Sequence, residues 1–128
     1  MKVSIDVALA EVNGWLDHKK VGQTKREANK DSINVIAEAI SEGFLVINED
    51  KTMTQNLKFP VGEYTSINYK ARLTVGERNE KLKGVKATDM GGLMNAYLCA
   101  LSGSPVNVFN NLDSEDNSVA SAIVVFFM

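Results

Sequence analysis

The chain has 128 residues, of which 45% are hydrophobic and 23% charged, and its formal net charge is −2. This length fits one domain with a substantial core and is too short for two ordinary domains. The composition excludes a disordered or low-complexity chain, and the net charge argues against wholesale binding to polyanions.

The cellular compartment is predicted from the cysteine count and from the N-terminus. Cys99 is the single cysteine, so the chain offers no internal disulfide, which is typical of the reducing cytoplasm. Asp6 and Glu11 interrupt the apolar run that a signal peptide would need. No apolar run approaches the about 20 residues needed to cross a membrane. We therefore expect a soluble, cytoplasmic protein with no membrane segment.

Two helices are predicted in the N-terminal part, residues 1–43. The first covers residues 5–16, where apolar side chains recur at the spacing of one helix face, namely Ile5, Ala8, Leu9, Val12 and Leu16. The second follows a turn at residues 21–23, and Thr24 and Glu27 have the spacing of a capping box. It is expected to end at Gly43 and to bury Ile33, Ile36, Ala37 and Ile40.

The middle of the chain, residues 44–73, is predicted to form a three-stranded antiparallel sheet. Residues 44–47 are a short strand-like run, residues 48–51 a polar turn, and residues 52–60 alternate loosely. Residues 66–73 alternate again, with one face formed by Ile67, Tyr69, Ala71 and Leu73. Pro60 lies at a predicted strand end, where its missing N–H group is tolerated.

The C-terminal part, residues 74–128, returns to helical spacing. A short polar helix is expected over residues 75–82. A longer helix capped by Thr88 and ended by Gly103 would bury Met90, Leu93, Met94, Tyr97, Leu98 and Leu101. One short helical turn can follow, and Asp113 or Ser114 caps a final helix that runs to the chain end, where a strand is the alternative. These elements predict one α+β domain, with a small three-stranded antiparallel sheet packed with about four to five helices.

The last seven residues, 122–128, form an unbroken apolar run. Each large apolar side chain left in water instead of being buried would lose about 1.5–3 kcal/mol. The run must therefore be covered, either by the chain's own core or by another protein. In the second case a partner-binding surface is formed by Val125, Phe126, Phe127 and Met128.

Few side chains suit catalysis or metal binding. His18, the only histidine, precedes two lysines and is expected to be a solvated cation, while Cys99 is expected to act as a small apolar side chain. One histidine and one cysteine cannot form a structural zinc site. The acidic group of Asp113, Glu115 and Asp116 suits helix capping better than calcium binding. We therefore predict no catalytic residue, cofactor or metal, and expect that the protein is not an enzyme.

Charge is distributed unevenly along the chain. Residues 31–50 carry five acidic residues and no basic one. A basic surface is predicted in residues 70–86, formed by Lys70, Arg72, Arg78, Lys81, Lys83 and Lys86. Because this segment lacks the interleaved aromatic residues on which single-stranded bases stack, a solvated face or an acidic protein partner is favoured over nucleic acid.

The second half of the chain carries a succession of short motifs. Residues 56–60 (NLKFP) precede residues 67–73 (INYKARL), and residues 100–105 (ALSGSP) precede residues 112–116 (LDSED) and a closing apolar segment. This succession resembles the tail assembly chaperone family of long-tailed bacteriophages, in which a Leu-Thr-Gly-small-Pro turn and a Leu-Asp-x-x-Asp helix start precede a closing apolar helix. The resemblance covers residues 54–128, and Ser102 stands where threonine is commoner in the family.

The resemblance implies a non-enzymatic protein in the host cytoplasm that binds the tape-measure protein, keeps its apolar helices soluble and helps recruit tail-tube subunits. An apolar C-terminal surface or the sheet face would engage the client. The alternative is a structural tail or connector subunit that is retained in the virion. A third hypothesis is a small nucleic-acid-binding regulator that uses residues 70–86. Homo-oligomer formation is left open.

Overall fold

The N-terminal part folds into helices because its apolar residues recur at helical spacing. In the computed structural model, which describes residues 2–128, α1 spans Ile5–His18, α2 spans Gln23–Ala28 and α3 spans Lys30–Ser41. The Ser4 hydroxyl caps α1 by accepting a hydrogen bond from the backbone N–H of Val7. The prediction that Ile5 belongs to the buried face is wrong, since Ile5 is 44% exposed. The buried face consists of Ala8, Val12, Trp15 and Leu16.

The predicted second helix is in fact two helices that meet at Asn29. The Asn29 backbone, at φ −117° and ψ 32°, departs from helix geometry, and its side-chain amide donates to the carbonyl oxygen of Lys25 at 2.9 Å. The predicted capping box is also wrong, because Gly22 is the N-cap of α2 and Thr24 lies inside the helix. On α3, burial follows the prediction for Ile36, Ala37 and Ile40, whereas Ile33 is half-buried.

The three-stranded antiparallel sheet is confirmed. Its strands are β1 (Leu45–Ile47), β2 (Met53–Val61) and β3 (Tyr64–Tyr69), in the spatial order β1-β2-β3. One face packs on the helices and carries Leu45, Met53, Gln55, Leu57, Ile67 and Tyr69. The register places mostly polar side chains on the opposite face, namely Val46, Thr54, Asn56, Ser66 and Asn68.

The third strand lies earlier in the chain than predicted. Beyond Tyr69 the backbone N–H of Lys70 donates to the carbonyl oxygen of Leu101 at 2.9 Å, so the chain leaves the sheet at this point. Ala71 and Leu73, which were predicted to lie on the strand, belong instead to the connection that follows it. Pro60 lies near the end of β2, as predicted.

Four helices follow the sheet: α4 (Val75–Leu82), α5 (Met90–Ser102), α6 (Val106–Asn110) and α7 (Ser114–Val124). Asp89 caps α5, so the predicted Thr88 cap is wrong, whereas Asp113 caps α7 as one of the two predicted residues. Gly103 ends α5 in the left-handed conformation with φ 72°, which favours glycine. Met90, predicted to be buried, is 61% exposed on the first turn of α5.

One hydrophobic core draws side chains from α1, α3, the sheet, α5, α6 and α7. The α+β class is confirmed. The structure has seven helices within residues 2–128 rather than four to five, because α2 and α3 are separate and the short turn predicted after α5 is a helix of its own, α6. Across these residues, every helix is too short or too polar to span a membrane.

Candidate functional site

The closing apolar run is covered mainly by the chain's own core. Phe126 is only 3% exposed, and its ring meets the ring of Trp15 edge-on with the centroids 5.9 Å apart. The ring of Phe127 lies at the same distance from Trp15. Val125 and Phe127 are half-buried, so Met128 is the one exposed residue of the four predicted to bind a partner. The helix predicted to reach the chain end stops at Val124, and a turn follows it.

A pocket that we call the basic pocket lies beside this turn. Its cavity of about 340 Å³ is lined by Lys19, Lys20, Val21, Gly22, Lys25, Arg72, Leu73, Phe126 and Phe127. The lysines come from the segment joining α1 to α2 and from α2 itself, and Arg72 comes from the connection between β3 and α4. The basic pocket therefore brings together residues from two predicted surfaces, the closing run and the basic segment.

The Lys19 ammonium is held against aromatic rings inside the basic pocket. Its Nζ lies 3.5 Å from the centroid of the Phe127 ring and 5.6 Å from that of the Trp15 ring, which are cation–π distances. Burial, together with the nearby positive charges of Arg72 and Lys25, lowers the pKa of Lys19 to about 8. The charge of Lys19 is thus partly desolvated and faces other cations.

The six cations predicted to form one basic surface have separate neighbours. Lys70 contacts Glu77 at 2.6 Å, and this bond together with those from Thr74 lowers the pKa of the Glu77 carboxyl. Lys83 pairs with Glu80 at 3.2 Å. Of the remaining four residues, Arg72 lines the basic pocket, Lys81 lines a different cavity, Arg78 bonds to Asn79, and Lys86 is exposed. Two of the six charges are therefore already paired within the chain.

A second cavity, which we call the helical groove, lies between α4, α5 and α6. It has a volume of about 730 Å³ and is lined by Lys81, Val85, Asp89, Gly91, Gly92, Asn95, Ala96, Cys99, Ser104, Pro105, Val106 and Asn110. Its floor is the face of α5 that carries small side chains, and its walls include Val85, from the connection between α4 and α5, and Val106, the first residue of α6. Val106 is 52% exposed, so the groove offers apolar surface to a partner.

The two residues weighed for nucleophilic chemistry lie on different elements. Cys99 is buried on α5 at the groove floor, and burial raises the pKa of its thiol, which keeps it protonated as a small apolar side chain. His18 is exposed at the end of α1. In residues 2–128, histidine, cysteine and acidic side chains form no group of three or more suited to holding a metal ion.

A buried polar network connects β2, β3 and α7, and it was missed by the sequence analysis. The Tyr69 hydroxyl donates to Oε1 of Gln55 at 2.7 Å, and Nε2 of Gln55 donates to the carbonyl oxygen of Asp116 at 2.9 Å. The Asp116 carboxylate accepts bonds from the backbone N–H groups of Lys58 (2.9 Å) and Phe59 (3.0 Å). Burial, and secondarily the negative charge of Asp116, raises the pKa of Tyr69.

This network has a structural role. The position of Asp116 in the first turn of α7 suggested a capping role, but Asp113 is the N-cap of this helix. Asp116 instead holds β2 between Asn56 and Val61, where the register of β2 with β3 is irregular. A signal for it was present in the sequence, because strand alternation places Gln55 on the same face as the buried Met53 and Leu57. A buried amide needs polar partners.

Comparison of the chain with models of known protein families, with curated proteins and with solved structures finds no match. The geometry of the helical groove and of the basic pocket, together with the short motifs of the second half, therefore carries the functional interpretation. One of those motifs lies at the groove, since residues 100–105 form the end of α5, its glycine cap and part of the groove wall.

Proposed function

We propose that this chain is a non-enzymatic phage tail assembly chaperone that binds an apolar helix of the tape-measure protein in its helical groove. The observation that carries the proposal is the open groove of about 730 Å³ between α4 and α6. Amphipathic helices bind in such grooves by inserting apolar side chains spaced three and four residues apart. The resemblance to the chaperone family supplies the identity of the client.

The groove suits this role better than the two surfaces expected from the sequence. The outer face of the sheet carries mainly threonine, asparagine and serine, which offer little apolar surface to a client helix. The closing run is engaged by the core through Phe126. In contrast, Val85, Pro105 and Val106 present apolar surface along the groove without any rearrangement of the fold.

The floor of the groove is formed by small residues of α5. Gly92, Ala96 and Cys99 lie on one face of this helix. Ala96 and Cys99 are almost fully buried and the Asp89 carboxylate lies over Gly92, so a partner helix would mainly contact the walls. Lys81 and Asp89, of opposite charge, also line the groove and would orient a partner helix that carries polar residues at its edges. The resulting interface would be reversible, as release of a client requires.

Direct binding to recombinant apolar segments of the tape-measure protein tests the proposal. Val106→Asp places a carboxylate in the groove wall at the first residue of α6 and should weaken binding about tenfold or more. Val75→Asp is the matched control, since Val75 is also the exposed first residue of a short helix and does not line the groove. A carboxylate at the start of a helix is tolerated, so both variants should fold.

Equal binding by folded Val106→Asp and wild-type protein would contradict the use of the groove. Isothermal titration gives the affinities, and circular dichroism verifies the fold of each variant. The same groove would also serve a permanent interface in a tail or connector subunit. Mass spectrometry of purified virions separates the two roles, because a stoichiometric amount of this chain in the virion contradicts a chaperone role.

A further inference from the structure

The basic pocket concentrates positive charge, most of which has no partner in the part of the chain that the structure describes. Its four cations are Lys19, Lys20, Lys25 and Arg72, and none of its lining residues is acidic. Lys25 is already bonded, since its ammonium donates to a main-chain oxygen of Met128 at 3.1 Å, whereas Lys19, Lys20 and Arg72 form no salt bridge within residues 2–128. Unpaired cations gathered around one cavity repel each other, and a bound anion would relieve that repulsion.

The carboxylate that is nearest along the chain is engaged elsewhere. Asp17 accepts a bond from the Arg26 guanidinium at 2.8 Å, and the same guanidinium donates to the carbonyl oxygen of Val21 at 3.0 Å. Because Asp17 is paired with Arg26, it does not neutralise the lysines, and the bond from Arg26 to Val21 stabilises the turn that carries Lys19 and Lys20. The cations of the basic pocket are left facing the cavity without a counterion from their own segment.

The turn that presents the lysines is held in one conformation. Lys20 adopts the left-handed conformation with φ 59°, which is uncommon for a residue with a side chain. The backbone N–H of Lys20 donates to the carbonyl oxygen of Asp17 at 3.0 Å, and the backbone N–H of Val21 donates to the carbonyl oxygen of Leu16 at 3.1 Å. A left-handed residue directly after the C-cap is a common way for a helix to end, and these two bonds close the C-terminus of α1. The backbone that carries Lys19 and Lys20 is therefore held in one conformation.

We propose that the basic pocket is a binding site for small phosphate-bearing anions, in which Arg72, Lys19 and Lys20 contact the phosphoryl oxygens. An arginine guanidinium can hold two phosphate oxygens at once, and lysines act as additional point charges. The volume of about 340 Å³ is near the lower end for small-molecule sites, which suits a phosphate or pyrophosphate group better than a bulky ligand. The lowered pKa of Lys19 supports the assignment, because an anion would stabilise its charged form.

Thermal unfolding and isothermal titration of the full chain with pyrophosphate, at constant ionic strength, test this site. We expect a saturable rise in Tm with pyrophosphate, because a ligand that binds only the folded state stabilises it. Arg72→Gln and Lys20→Gln should each reduce the affinity about tenfold or more, as expected for the loss of a charged contact. Both residues are exposed, so these variants should fold, and Lys86→Gln is the control outside the pocket.

A second measurement does not depend on stability. Saturating pyrophosphate should raise the pKa of Lys19, which NMR titration of its side chain detects, because the added negative charge favours the ammonium form. Tighter binding of a nucleoside triphosphate than of inorganic triphosphate would assign the site to a nucleotide, and equal binding would assign it to the inorganic anion. Either result supports the phosphate class.

Three results would overturn the proposal. The first is a rise in Tm that chloride reproduces at equal ionic strength. The second is an affinity for pyrophosphate that is the same in wild type, Arg72→Gln and Lys20→Gln. The third is binding of long polyanions such as DNA by a protein whose Tm does not change with pyrophosphate. The site is separate from the helical groove, so its failure would leave the proposed client binding untouched.

Discussion

Replacing Asp116 with alanine tests what attaches β2 to α7. The side chain is 2% exposed, and its carboxylate accepts two backbone N–H bonds, from Lys58 at 2.9 Å and Phe59 at 3.0 Å. Hydrogen bonds to a charged group contribute about 1.5–3 kcal/mol each, which sums to about 3–6 kcal/mol. Lys58 and Phe59 are exposed, so water can replace part of both bonds in the variant. We therefore expect the free energy of unfolding to fall by about 3 kcal/mol.

Urea unfolding followed by the fluorescence of Trp15, the single and buried tryptophan, measures this change. At a slope of about 1–3 kcal/mol per molar urea, the midpoint should fall by about 1–3 M. Glu115→Ala, on the same helical turn but exposed, is the matched control and should lose about 1 kcal/mol or less. A midpoint for Asp116→Ala that moves no further than that of the control would refute the reasoning.

Three further predictions concern the core and the basic pocket. Phe126→Ala should lower the free energy of unfolding by about 3–5 kcal/mol, because it leaves a cavity beside Trp15. Urea unfolding measures this loss, and a value below about 1 kcal/mol would show that the ring is not part of the core. Tyr69→Phe removes the donor to Gln55 and should cost about 1–2 kcal/mol by the same assay; no loss would mean that the bond is unimportant. Because the pKa of Lys19 is about 8 rather than 10.5, the unfolded chain binds more protons between these values, and stability should rise with pH in that window. Unfolding curves at about pH 7.5 and pH 10 should show a smaller rise in Lys19→Met than in wild type, and identical rises would contradict the assignment.

Local periodicity was sufficient to predict the three-stranded sheet and part of its buried face. Because side chains alternate along a strand, Ile67 and Tyr69 could be assigned to one face from the sequence. The end of β3 could not be predicted in the same way. It depends on the bond from the Lys70 N–H to the carbonyl oxygen of Leu101, a partner far along the chain that leaves no local pattern.

Local periodicity also failed to predict two of the helix boundaries. Asn29 was read as an interior residue of one long helix, since helical periodicity continues through it. The Asn29 backbone leaves helical geometry at φ −117° and ψ 32°, and this change at a single residue is not visible in hydrophobic spacing. The cap of α5 at Asp89 rather than Thr88 is a one-residue choice between two good capping residues.

The candidate sites could be predicted only in part, because both are assembled from distant segments. Counting charges along the chain grouped Arg72 with Lys70 and Arg78, whereas the fold places it with Lys19 and Lys25. For the helical groove a signal did exist, since Gly92, Ala96 and Cys99 repeat small side chains at helical spacing on α5. What the spacing could not reveal is that α4 and α6 flank this face and form a groove above it.

The burial of the closing run also determines where a client can bind. Phe126 packs against Trp15, so a partner could reach it only after the closing turn opens, at a cost of about 3–5 kcal/mol for withdrawing the ring from the core. That cost would weaken binding by about two to three and a half orders of magnitude, at about 1.4 kcal/mol for each factor of ten. The helical groove carries no such penalty, because Val106 is 52% exposed in the folded chain. A client offered equal apolar contacts at both places would therefore occupy the groove.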